Sequence, residues 1–144
     1  MKEESKTRLF LVDDDILYLK TLEMDFREHH DFIIETFNTG ELCLENLDRK
    51  PDIIVLDYFL DGVDPSAMNG IKTLDAIKAS HPDIPVVMLS GQDKIEVAVN
   101  CIQHKAFDYI VKSETAFARL QKIITIIFQY QKMERELKWY MDRM

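Results

Sequence analysis

The sequence predicts an α/β fold, a parallel sheet wound on both faces by helices. Two observations carry that prediction. Short β-rich runs alternate with runs of helical period along the whole chain, and three of the strand runs, LFLV, DIIVL and PVVML, are almost continuously apolar. A strand that is apolar on both faces belongs inside a parallel sheet, where helices cover it above and below. Each parallel crossover is right-handed and needs its own helix, so five strands alternating with five helices make one doubly wound sandwich.

The elements follow in order. Arg8–Val12 is the first strand, and Leu19, Leu22 and Phe26 mark one face of the helix after it. Phe32–Phe37 is the second strand, followed by a short helix around Cys43, Leu44 and Leu47 that stops before Pro51. Ile53–Asp57 is the third strand, and Ile71, Leu74 and Ile77 mark a third helix beginning after Gly70. Val86–Ser90 is the fourth strand, and Ile95, Ala98, Val99 and Ile102 recur at helical spacing behind it. Tyr109–Lys112 is the fifth strand. A long last helix begins near Glu114 and meets no Pro or Gly before the C-terminus. The segment Tyr58–Asn69 is longer than the ~2–6 residues of an ordinary strand-to-helix loop, and long loops of this kind are functional or mobile.

Composition excludes several function classes. Of 144 residues, 47% are hydrophobic and 31% charged, which is globular rather than disordered. No run approaches the ~18 apolar residues of a membrane span. Acids in the segment Met1–Lys6 argue against a secretory leader, and a cytoplasmic location is expected. Cys43 and Cys101 have no partner spacing, so they read as two buried thiols and not as a metal site or a disulfide. A net charge of −8 disfavours direct nucleic-acid contact. His29, His30, His81 and His104 lack a triad context and read as surface residues.

In a doubly wound sheet, ligands bind outside the carboxyl ends of the strands, where strand order reverses. Those ends carry Asp13-Asp14-Asp15, Asp57, Ser90-Gly91 and Lys112. With the order 2-1-3-4-5, the Asp13/Asp14 pair faces Asp57. Acidic residues favour helix N-termini, which explains one of the three consecutive aspartates well and all three poorly. Three neighbouring carboxylates do not all stay ionised without a cation, and one lysine is too little. An all-oxygen ligand set points to Mg²⁺ or Mn²⁺ rather than zinc. A carboxylate beside such an ion, a lysine and a hydroxyl is equipped to accept a phosphoryl group: Asp57 as nucleophile, Lys112 and the metal offsetting charge, and Ser90 donating to the phosphoryl oxygens.

FLVDDD, DIIVLD, PVVMLSG and FDYIVK, at these separations, closely resemble the receiver domain of bacterial two-component response regulators, over about residues 7–128. The resemblance implies a flavodoxin-like fold and a phosphorylation-activated switch. It makes Asp57 the phosphoacceptor, and Asp13, Asp14, Asp57 and the backbone carbonyl of Phe59 the metal ligands, with Asp14 direct and Asp13 acting through water. It makes Ser90 and Tyr109 the switch pair, and Lys112 the phosphoryl contact. Gly91 becomes the small residue that keeps the acyl phosphate accessible, with Phe59 and Gln92 bordering the approach of water. The implied phosphodonor is a histidine kinase or a histidine phosphotransfer protein. Three departures stand out. Ser113, not proline, follows Lys112, which points either to a trans link that changes the approach of Lys112 or to Ser113 as the cap of the last helix with Glu114 in its first turn. The Asp57-to-Gly70 segment is about five residues longer than usual. Lys105-Ala106 replaces the usual Gly-Ala step.

Two other readings compete. A haloacid-dehalogenase-like phosphatase shares phosphoaspartate chemistry, and Asp13-x-Asp15 resembles its DxD motif, but Leu17 and the lack of a late acidic pair depart from it. A receiver-like module that binds partners without phosphorylation would not need the intact acidic and lysine set.

The expected organisation is a receiver domain over 1–129 and a C-terminal helical extension over 130–144. An unbroken last helix would be about 45 Å long, more than the domain can cover. Ile123, Ile126, Tyr130, Met133, Leu137, Tyr140 and Met144 alternate in steps of three and four. That seam predicts a parallel homodimer through this helix, with the first two residues also packing on the sheet.

Overall fold

The computed structural model describes residues 6–144, so the segment Met1–Ser5 lies outside the described residues. Five parallel strands, β1 (Arg8–Val12), β2 (Ile33–Phe37), β3 (Ile53–Asp57), β4 (Val86–Ser90) and β5 (Asp108–Val111), form one sheet in the order β2-β1-β3-β4-β5. They alternate with α1 (Ile16–His29), α2 (Gly40–Glu45, continued by a 3₁₀ turn over Leu47–Arg49), α3 (Gly70–Ser80), α4 (Ile95–Gln103) and α5 (Ala116–Arg143).

The side-chain alternation of the strands divides the interior into two cores. Leu9, Leu11, Ile53, Val55, Val87, Leu89 and Ile110 face α1 and α5, meeting Leu22, Phe26, Leu120 and Ile124. Phe10, Val12, Ile54, Leu56, Val86 and Met88 face the other three helices, meeting Cys43, Leu74, Ile77 and Cys101. Strands β3 and β4 are buried along their whole length, as continuous apolar runs at the middle of a parallel sheet must be.

Helix starts are set by short polar side chains. Asp15 Oδ1 accepts from the N–H groups of Leu17 and Tyr18 at 3.1 and 3.2 Å, Thr39 Oγ1 from Leu42 at 3.1 Å, and Asn69 Oδ1 from Lys72 at 2.9 Å. Two glycines allow close approach. A Cβ at Gly40 would stand 2.0 Å from Thr73 Oγ1, so α2 and α3 meet where no side chain fits. A Cβ at Gly70 would stand 2.4 Å from the carbonyl oxygen of Asp57, so the third helix begins directly against the end of β3.

Three local expectations are corrected. The apolar stripe of α4 faces outward: Ile95, Val99 and Ile102 are exposed, while Cys101 is buried and Val97 packs on the core. On α5 the sheet-facing residues are Ala116, Leu120, Ile124 and Ile127. Ile123 is half-buried against that core, but Ile126 is exposed rather than packed on the sheet. Ser113 does not cap α5. The cap position is Thr115, and Ser113 Oγ accepts from the Thr115 N–H at 3.3 Å instead.

Candidate functional site at the carboxyl ends of the strands

Sheet register brings the acids together. Val12 pairs with Leu56, so the residues that follow, Asp13 and Asp57, emerge side by side from β1 and β3. Both are almost fully buried, each 3% exposed. Asp14 is half-buried next to them. Ligand oxygens of Asp13, Asp14 and Asp57 lie within 4.8 Å of one another. The third aspartate of the run turns away: Asp15 caps α1, and its own N–H donates to Asp13 Oδ1 at 2.9 Å. One acid therefore serves the helix and two serve the cleft.

Lys112 enters from the end of β5, with Nζ 2.8 Å from Asp13 Oδ2 and 3.2 Å from Asp57 Oδ1. Asp13 Oδ2 is buried, and the shared Lys112 ammonium is its one polar partner among the described residues. Lys112 also lies over the ring of Tyr18, 4.5 Å from its centroid. Burial raises the carboxyl pKa of Asp57 to about 7, the Asp13 charge adds to the rise, and Lys112 only partly offsets both. Asp13 is raised too, chiefly by burial. Burial works to lower the pKa of Lys112, but its bonds and charge contacts with Asp13 and Asp57 outweigh this and raise it.

Three clustered acids, two of them almost fully buried, share one lysine and leave negative charge uncompensated. The donor set is oxygen only, which fits a hard divalent cation and not zinc. The chain's own residues therefore fit such an ion.

The cleft opens to solvent between Ile16 and Leu17 on one side and Phe59, Gly62 and Val63 on the other, with Gly91 and Lys112 completing the wall. A Cβ at Gly91 would meet nothing within 4 Å, so the rim is open above Asp57. Ser90 is fully buried, and its Oγ accepts from the Gln92 N–H at 3.1 Å. The Tyr109 hydroxyl donates to the carbonyl oxygen of Gln92. Gln92 follows Gly91 directly after β4. Its backbone links Ser90 to Tyr109.

The long Tyr58–Asn69 loop is folded against the domain. Leu60 is buried in the core, Asp64 Oδ1 accepts from the N–H and hydroxyl of Ser66 at 3.0 and 2.7 Å, and Glu41 Oε2 accepts from the Met68 N–H at 3.0 Å. The Val63 N–H donates to Asp14 Oδ2 at 3.0 Å. Sequence reasoning missed two residues here. Tyr18 lies one helical turn beyond Asp14, a spacing that could have drawn it in. Val63 acts through its backbone, which leaves no side-chain signal.

A doubly wound sheet in this strand order, with paired acids, a third acid, a buried serine and a lysine at the carboxyl ends of its strands, defines a receiver-type signalling module. Residues 9–125 match the family model of the response regulator receiver domain, and the chain belongs to that family. This membership displaces the phosphatase reading, because receiver domains are signalling domains. The chain is 40% identical over 90 residues to the nitrogen assimilation regulatory protein NtrX of Azorhizobium caulinodans, a match covering 62% of this chain and 19% of that protein. It is 36% identical over 117 residues to a protein-glutamate methylesterase/protein-glutamine glutaminase of Clostridium acetobutylicum, covering 78% of this chain and 32% of that protein. The crystal structure of NtrX from Brucella abortus superposes with a TM-score of 0.80 at 28% identity, covering 93% of this chain and 30% of that one. The chain thus matches a third or less of the length of these curated relatives. Among the described residues no helix is long and apolar enough to cross a membrane.

Proposed function

We propose that this receiver takes a phosphoryl group onto Asp57 from a histidine kinase or histidine phosphotransfer protein in the cytoplasm. The observation that carries the reading is the placement of the Asp57 carboxylate: at the end of β3, beside two further acids and 3.2 Å from Lys112, under an open rim. An Asp57 oxygen attacks phosphorus, the bond from phosphorus to the donor nitrogen breaks, and the freed imidazole takes up a proton. Asp13, Asp14 and Asp57, with the Phe59 carbonyl, would hold Mg²⁺ (or Mn²⁺), which supplies charge neutralisation for the phosphoryl oxygens. Lys112 adds a second positive charge to the same oxygens. Ser90 moves from its bond with Gln92 toward the new phosphoryl group, and Tyr109, bonded to the same Gln92 backbone, follows. Both halves of that switch run through one residue's peptide groups. Phe59, half exposed at the rim, shields the acyl phosphate from water.

Intact mass after incubation with a small-molecule phosphodonor tests the assignment. One phosphoryl adduct is expected with Mg²⁺ and none without it, and Asp57→Asn should show none. Stoichiometric labelling of Asp57→Asn would sink the assignment of the acceptor.

A second reading concerns assembly. Tyr130, Met133, Leu137 and Tyr140 are 56%, 66%, 61% and 63% exposed along one continuous helix. That stripe supports a receiver unit ending near residue 129 and a parallel homodimer through 130–144. Light scattering at tens of micromolar should give a dimer for the full chain and a monomer for a version ending at Gln129. A monomeric full chain overturns the reading.

A further inference from the structure

The long loop that follows β3 reaches back into the acidic cleft at one point. Leu60 roots it in the core, Asn69 and Gly70 fix its far end at the start of α3, and the intervening turn sets the Val63 N–H 3.0 Å from Asp14 Oδ2. Gly62, beside it, is packed so closely that a Cβ there would stand 3.1 Å from Asp14 Oδ2 and 3.6 Å from the Phe59 carbonyl oxygen. The loop thus meets the Asp14 carboxylate at Oδ2, through a donor at one residue and through the lack of a side chain at the other.

Asp14 needs such a contact. Asp13 is held by the Asp15 N–H and Lys112, and Asp57 by Lys112 and the surrounding core. Asp14 is half-buried, and the Val63 amide is the one hydrogen bond its carboxylate receives among the described residues. A carboxylate with a free χ angle at the mouth of a cleft turns toward water. An N–H on Oδ2 holds it in one rotamer and leaves Oδ1 for a ligand. Groups that bond a metal ligand from behind in this way are worth about 10–100-fold in metal affinity.

We propose that the Val63 backbone amide is a positioning group of the cation site, and that the long loop serves to deliver it to Asp14, with Gly62 giving the room. The inference rests on the reading of Asp14 as a metal ligand. It predicts that the loop's contribution lies in the peptide group at position 63 and not in the valine side chain.

The test is calorimetric titration of the full chain with MgCl₂, with circular dichroism of each metal-free variant as the control for folding. Val63→Pro removes the N–H, and the preceding Gly62 tolerates the proline. It should bind Mg²⁺ roughly tenfold more weakly. Val63→Ala keeps the N–H and should bind like the parent. If the proline variant fails to fold, Gly62→Ala, whose Cβ would stand 3.1 Å from Asp14 Oδ2, should displace that oxygen from the Val63 N–H and weaken binding, and parent-like binding by it also overturns the inference. Val63→Pro within twofold of the parent, or Val63→Ala as weak as Val63→Pro, overturns the inference. Asp14→Asn reports separately on the underlying reading: it should lose Mg²⁺ binding, and parent-like affinity would remove the metal assignment and this inference with it.

Discussion

The cleft around Asp57 and the outer half of α5 break the same folding rule in opposite senses. At the cleft, two carboxylates are almost fully buried and share a single lysine. On α5 from Tyr130 onward, aromatic and aliphatic side chains stand in water at more than half of their full exposure. Burying charge without full compensation and exposing large apolar groups both cost free energy that the isolated chain does not recover. The comparison teaches that the two regions are left incomplete in different ways, in charge at the cleft and in apolar surface at the helix.

The largest effect that sharpens this contrast lies within α5 itself. Leu120→Ala opens a cavity in the core and should cost about 2–5 kcal/mol in chemical denaturation. Leu137→Ala, an identical change on the exposed half, should leave the stability of the monomer within about 0.5 kcal/mol. Comparable losses from the two would show that the outer half folds back and packs.

The next effect is on the charge side. Burial and the Asp13 charge hold the Asp57 pKa at about 7 in the fold, above the unfolded value of 3.8. A group with a raised folded pKa contributes most below its unfolded pKa and loses that contribution as pH rises through the folded one. The metal-free protein should therefore lose stability between about pH 4 and pH 7. Asp57→Asn should be more stable than the parent at pH 8 by on the order of 2 kcal/mol, with a shallower pH profile. A residual slope of the same sign is expected from Asp13, which is raised as well. Thermal melts in chelator across this range check both statements, and a parent whose midpoint rises with pH would break the account of the cleft.

A smaller effect separates the neighbouring acids. Asp15→Ala removes the cap of α1 and should cost about 1 kcal/mol while leaving Mg²⁺ affinity nearly unchanged. Asp14→Asn should show the reverse pattern, a small change in stability and a lost metal site.

How much of this was legible in the sequence depends on how many side-chain patterns fit each segment. The central strands have no alternative reading, and β1, β3 and β4 run over the residues their apolar runs mark out. The site was legible for the same reason: parallel strands put their final residues on one edge, so Asp13, Asp57, Ser90 and Lys112 needed no long-range inference. Helix α4 was not legible in phase. Ile95, Val97, Ala98, Val99, Cys101 and Ile102 leave nearly every face apolar, and the buried face turned out to be that of Val97 and Cys101. The doublets Ile123-Ile124 and Ile126-Ile127 gave α5 two registers one residue apart, and the sheet takes the second of each. The loop amide at Val63 had no sequence signature, because every residue but proline carries the same donor.

The position of the single tryptophan has an optical consequence. Trp139 lies near the end of α5, half exposed, with the Arg143 guanidinium 3.8 Å from its ring centroid and Tyr140 against its edge. The indole emission of this protein therefore originates far along the helix from the acidic cleft. Adding Mg²⁺ to the monomer should leave that emission unchanged, whereas association through the helix should shift it to shorter wavelength as the ring leaves water. The chain carries a built-in optical reporter on the outer half of α5, remote from the acidic cleft.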